Sequence, residues 1–177
     1  MSLYFVAIEP YAELSAKVRA IQKDFAERFD SKKALNNFPH ITIIPPFMHD
    51  EQNESEVLGH FHKTNLSSHP FEVQLNGFSC FANKKNPVIY IKPESSIDLR
   101  SVYKEFDENM SAFKYVRVFN PHLTVAYRDL LSENFEKAWN EYQNLSFYEI
   151  FRVSEIGLYK HFCRKWNLIA SKELKKS

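Results

Sequence analysis

Apolar positions recur along this chain in two rhythms. The runs "YFVAIEP" (residues 4–10) and "VIYIKPE" (88–94) are short and rich in β-prone residues, and each carries Ile-x-Pro, so both predict strands. Each leads into a helix-period segment. Leu14, Val18, Ile21 and Phe25 fall at steps of four and three, as do Leu99, Val102, Tyr103, Phe106, Met110 and Phe113. Each segment predicts an amphipathic helix with one buried stripe. Both then meet the same motif, Pro-His-apolar-Thr-apolar-apolar, as "PHITII" (39–44) and "PHLTVA" (121–126). Thirty residues separate Pro10 from His40 and 29 separate Pro93 from His122, although most side chains between them differ. We read two strand-helix-strand units descended from an internal duplication.

Between and after these units the pattern predicts a helical stretch around 51–66, a strand over 71–81, and a helix carrying Phe135, Ala138, Trp139, Tyr142 and Leu145. Strand patterns follow at 147–160 and 165–171. The expected class is α+β: two similar lobes related by a pseudo-twofold, each a small, largely antiparallel sheet backed by helices, with a cleft between them. With only three glycines and no Ser/Gly-rich linker, no boundary is visible, and residues 1–177 read as a single domain. "ANKKNP" (82–87) separates two strand patterns and reads as a hairpin loop.

Composition narrows the partners. A hydrophobic share of 44% and an aromatic share of 15% are those of a chain that buries a core. The net charge of +1 gives no broad attraction to a polyanion or a membrane surface, so a nucleic-acid substrate has to be met locally. Cys80 and Cys163 lack CxxC spacing and read as reduced, structural thiols of a cytoplasmic protein. "LYFVAI" is too short to span a membrane and lacks a signal peptide's flanks. A monomer with no membrane partner is the expectation.

Side chains alternate across a strand, so His40 and Thr42 share one face while Ile41 and Ile43 take the other; His122 and Thr124 likewise oppose Leu123 and Val125. A pseudo-twofold turns the two His-Thr faces toward one cleft. Two imidazoles there suit acid–base chemistry near neutral pH, one accepting a proton while the other donates. The threonines add neutral hydrogen-bond donors. Two histidines are too few to hold a catalytic metal, and no Asp or Glu lies within two residues of either, so no metal and no cofactor is expected.

These paired motifs resemble the 2H phosphoesterase superfamily, named for its two His-x-Thr/Ser motifs, and within it the RNA 2′,3′-cyclic phosphodiesterase or 2′-5′ RNA ligase-like branch. The resemblance spans essentially the whole chain. It implies that His40 and His122 are general acid and base, in an order left open, and that Thr42 and Thr124 hydrogen-bond a phosphate. It further implies a metal-independent hydrolase acting on an RNA terminus or cyclic nucleotide substrate, opening a 2′,3′-cyclic phosphate or a 2′-5′ linkage. A small metabolite such as ADP-ribose cyclic phosphate, or non-catalytic capture of RNA ends, is the alternative.

Other candidates read as structural. His60 and His62 in "HFH" diverge on a helix and are expected to face solvent, and His62-Lys63-Thr64 is a chance repeat of the spacing. Lys84 and Lys85 belong to a solvated loop. Arg128 shares the cleft face by parity but, at about 3.3 Å per residue, lies roughly 20 Å along the strand from His122, where it is expected to be solvated or salt-bridged. Phe47, Tyr127 and Tyr159 stand near enough to stack a base, although most aromatics in so aromatic a chain belong to the core.

Overall fold

The computed structural model describes residues 1–175; Lys176, at the end of the basic "KELKK" run, lies outside them. Eight strands and four α-helices follow in the order β1 (Ser2–Ile8), α1 (Ala12–Arg28), β2 (Ile41–His49), α2 (Glu54–Lys63), β3 (Phe71–Phe81), β4 (Val88–Pro93), α3 (Ile97–Asn109), β5 (Leu123–Ala126), α4 (Ser132–Tyr142), β6 (Tyr148–Val153), β7 (Glu155–Phe162) and β8 (Lys165–Glu173). Short 3₁₀ turns occupy Lys33–Asn36 and Glu51–Asn53.

The two duplicated units are β1-α1-β2 and β4-α3-β5. They meet edge to edge, giving one antiparallel, curled sheet ordered β6-β3-β4-β5-β2-β1-β7-β8, an α+β fold of two similar halves. The join is narrow: β2 pairs with β5 only at Ile41↔Leu123. Beyond it Pro45 and Pro46, which have no N–H to donate, sit where the β1–β2 register skips between Tyr4 and Val6. The expected 147–160 strand is two strands broken at Ser154. β6 closes one end of the sheet on β3, whereas β7 enters the other half beside β1.

Each half is backed by helices, but the first helix of each unit backs the opposite half. α1 lies against β5, where Gln22 Nε2 donates to the Thr124 carbonyl at 3.0 Å, and against α4, where Phe25 meets Tyr142 at 4.5 Å between centroids. α3 packs on α2 through Phe61 and Phe106 and contacts β2; it ends at Asn109, so Phe113, expected on its stripe, lies past the helix, where it stacks on Phe47 of β2 at 4.8 Å. The stripe on α1 is buried as its spacing requires, with Leu14, Val18 and Phe25 fully covered. Each such side chain contributes roughly 1.5–3 kcal/mol of burial. On α4 the stripe stops at Tyr142, and Leu145 lies past the helix and is exposed. On the opposite face of β1 a smaller cluster of Phe5, Ala7 and Tyr159, with Phe38 and Trp166 packed on it, forms the aromatic side of a cleft.

Candidate active site

The β2–β5 register builds the site. Both histidines stand one residue before their strands, and Ile41 faces Leu123 with both side chains buried in the core. Extended by one residue in each direction, that register sets His40 across from Thr124 and Thr42 across from His122. Directly opposed side chains on an antiparallel pair have Cβ atoms about 5 Å apart and diagonal neighbours about 7–8 Å apart. Four polar side chains therefore converge on an area suited to one phosphate. All four line one cavity of about 430 Å³.

The imidazoles are oriented identically. Nδ1 of His40 bonds the Phe38 carbonyl and Nδ1 of His122 bonds the Asn120 carbonyl, each at 2.7 Å. A carbonyl only accepts, so the proton of each neutral ring is on Nδ1, and Nε2 is left with a free lone pair. Each ring is also packed between aromatics: His40 lies 5.0 Å from Phe5 and 4.9 Å from Phe38, and His122 lies 5.3 Å from Phe81 and 5.5 Å from Tyr90. Loss of hydration in this setting pushes His40 down from the ordinary imidazole value to about 4. The Phe38 hydrogen bond opposes that shift, and the charge of His122 adds a smaller depression. His122 is also lowered by loss of hydration, against its bond to Asn120.

Other walls of the cavity carried no signal in the sequence. Gln22 interrupts the apolar stripe of α1 and is buried, its Oε1 without a partner among the described residues. Asn37 Nδ2 donates to Tyr127 Oη at 2.6 Å, tying the approach to β2 to the chain after β5. Trp166 and His161 reach the cavity from β8 and β7.

Arg128 corrects the extrapolation along the strand. β5 ends at Ala126 and the chain turns sharply: Asp129 N donates to the Tyr127 carbonyl at 2.8 Å around Arg128, whose φ is 65°. The side chain thus returns to the same cavity, exposed, with its guanidinium 5.3 Å from the Tyr127 ring and no ion pair to a described residue. Asp129 anchors the turn by accepting from Ser31 Oγ and from the backbone N–H groups of Lys32 and Lys33. A left-handed arginine is strained, and such strain gathers where a site needs it.

The remaining candidates separate from the cavity. His62 is exposed, but His60 does not face solvent as expected: its Nδ1 bonds the Asn109 carbonyl at 2.6 Å because α3 packs over it. Thr64 is fully buried, donating back to the His60 carbonyl at the end of α2. Phe47 and Tyr159 are buried, Lys84 and Lys85 are exposed in the β3–β4 loop, and of the three named aromatics Tyr127 alone lines the cavity. Both cysteines are free, Cys80 half-buried and Cys163 exposed in a turn. Among the described residues no group of three or more His, Cys, Asp or Glu is placed to hold a metal ion, and no helix is long and apolar enough to cross a membrane.

The family model of the 2′-5′ RNA ligase superfamily matches residues 10–161. Among curated proteins, a "Putative phosphoesterase" of Geobacillus sp. strain WCH70 is 28% identical over 148 residues, covering 82% of each chain. One of the same description from Oceanobacillus iheyensis is 30% identical over 132 residues, covering 75% of this chain and 74% of its own. Among solved structures, E. coli LigT complexed with 3′-AMP superposes with a TM-score of 0.66 at 16% identity over 99% of both chains. TT0787 of Thermus thermophilus gives 0.66 at 16% identity over 98% of both. At such identities these structures share the fold.

Proposed function

The chain belongs to the 2′-5′ RNA ligase superfamily of 2H phosphoesterases, and from that premise we propose that it opens 2′,3′-cyclic phosphates on RNA ends or nucleotides by metal-independent, two-histidine acid–base catalysis. The observation that carries this reading is the Ile41↔Leu123 register, which sets two His-Thr pairs on one cavity with both Nε2 atoms free. The complex of LigT with 3′-AMP, on the same fold, agrees with a nucleotide phosphate as ligand.

Water enters on one side of phosphorus and gives its proton to one Nε2. The P–O bond to one ribose oxygen breaks on the other side, and the departing oxygen takes a proton from the second Nε2, leaving a phosphomonoester and a free hydroxyl. One imidazole is the neutral acceptor and the other the protonated donor, and loss of hydration lowers both, His40 to about 4. Thr42 and Thr124 donate to the non-bridging oxygens, whose charge grows toward the transition state. Arg128 adds a cation on the same cavity wall.

The test is turnover of a panel comprising nucleoside 2′,3′-cyclic monophosphates, an oligoribonucleotide ending in a 2′,3′-cyclic phosphate, a 2′-5′-linked dinucleotide and ADP-ribose cyclic phosphate, each before and after exhaustive chelation. We expect cyclic phosphates on nucleotides or RNA to be opened at rates EDTA does not change. Binding of RNA ends without turnover, or activity lost on chelation and restored by a divalent ion, contradicts the mechanism.

A further inference from the structure

Next to the catalytic cavity, and sharing Asn37, Phe38 and Trp166 with it, lies a second cleft of about 620 Å³ that brings together Arg19, Arg164 and Lys165. No acidic residue lines it, and none of its three cations is held in an ion pair with a described residue. In a protein whose net charge is only +1, this is a local concentration of unneutralised positive charge. Arg19 is half-buried on α1 and anchored by donating to the Leu35 carbonyl at 2.6 Å, which leaves other guanidinium N–H groups to donate.

Arg164 arrives there by an unfavourable route. β7 and β8 pair as Phe162↔Lys165, so Cys163 and Arg164 form a two-residue hairpin turn, and both have positive φ, 50° and 63°. Such turns are ordinarily Asn-Gly, because side chains with a Cβ are strained there. A bulky cation in the left-handed region, beside a cavity suited to phosphate, is strain of the kind kept at binding sites.

We infer that the Arg19–Arg164–Lys165 cleft is a subsite for the backbone phosphates of an RNA strand, one that continues away from the nucleotide whose cyclic phosphate sits at His40 and His122. Phe38 and Trp166 form the wall common to the two spaces, so a strand leaving the catalytic cavity on that side meets aromatic faces and then the three cations. This rests on the phosphodiesterase reading and adds to it a substrate: an oligoribonucleotide in preference to a mononucleotide or small metabolite. Recognition is by phosphate charge and carries no base preference.

The experiment compares kcat/KM for a nucleoside 2′,3′-cyclic monophosphate and for a short oligoribonucleotide with the same terminal group, across a range of salt. The proteins are the wild type, R164G and R164G/K165A. Glycine at 164 suits the turn, so R164G alone should raise Tm, and a loss of function in it cannot be laid to misfolding. We expect the wild type to prefer the oligonucleotide. In the double variant that preference should fall about tenfold at low salt, through KM, with the salt slope for the oligonucleotide shallower by about one per cation removed. An oligonucleotide-to-mononucleotide ratio near one in the wild type, or an unchanged ratio in the double variant, overturns the subsite while leaving the phosphodiesterase intact. Should neither substrate turn over, the catalytic reading fails, and anisotropy of a labelled 3′-phosphorylated oligoribonucleotide decides the cleft separately. Salt-sensitive binding weakened in the double variant supports it; equal binding overturns it.

Discussion

Burial among aromatic rings depresses His40 and His122, and in the proposed mechanism this sets the pH at which the pair works. For the proposed mechanism, one imidazole of the free enzyme must be neutral and the other protonated. His40 is neutral above about 4, and His122 keeps its proton only below a value lower than the ordinary 6.5. The bell of kcat/KM against pH should therefore have its optimum on the acidic side, its limbs reporting macroscopic values of the pair. Above about pH 6.5 it should fall by about tenfold per unit. A bound phosphate anion favours the protonated imidazole, so the alkaline limb of kcat should lie higher than that of kcat/KM. A kcat/KM still climbing above pH 7 contradicts a pair held below the ordinary imidazole value. At this scale the His-Thr positions were legible because the motif occurs twice at matched spacing. Arg128 and Arg164 were not, because nothing in "YRD" or "CRK" signals a left-handed backbone in the way Gly or Asn would.

The elements themselves were largely written in the apolar periodicity, and β3 matches its expected span of 71–81. What periodicity does not encode is partnership: that α1 backs β5, that β2 and β5 touch at one pair, and that the chain crosses between halves at Ser154. One close approach shows how such pairing supports the site. Gly157 on β7 faces Ala7 of β1, and a Cβ added there would stand 2.5 Å from the Tyr159 ring. That ring has little room to move, lying 5.1 Å from Phe5 and 4.6 Å from Phe38 with its hydroxyl donating to Glu9. Gly157→Ala should therefore destabilise the protein by about 1–3 kcal/mol, the usual cost of overpacking, read by chemical denaturation. Because Phe5 and Phe38 also flank His40, kcat should fall with it. An unperturbed denaturation midpoint would show that Tyr159 swings aside freely.

For the whole molecule, pseudo-symmetry is the organising fact. Duplicated units meeting at Ile41↔Leu123 place two copies of one motif on one cavity, so each half contributes a histidine and a threonine and neither half carries a complete site. A net charge of +1 gave no reason to expect a broadly polyanion-binding surface, but a sum over the chain says nothing of cations gathered in one cleft, which depends on the fold. In the proposed mechanism the two histidines serve a single displacement. Its most direct test is kcat/KM on a 2′,3′-cyclic phosphate for His40→Ala, His122→Ala and the double variant, with folding checked by thermal melts. Each single substitution should cost at least ~100-fold and the double little more than either, since groups acting as a unit are far from additive. Wild-type-like activity in either single variant, or losses that multiply in the double, would contradict it.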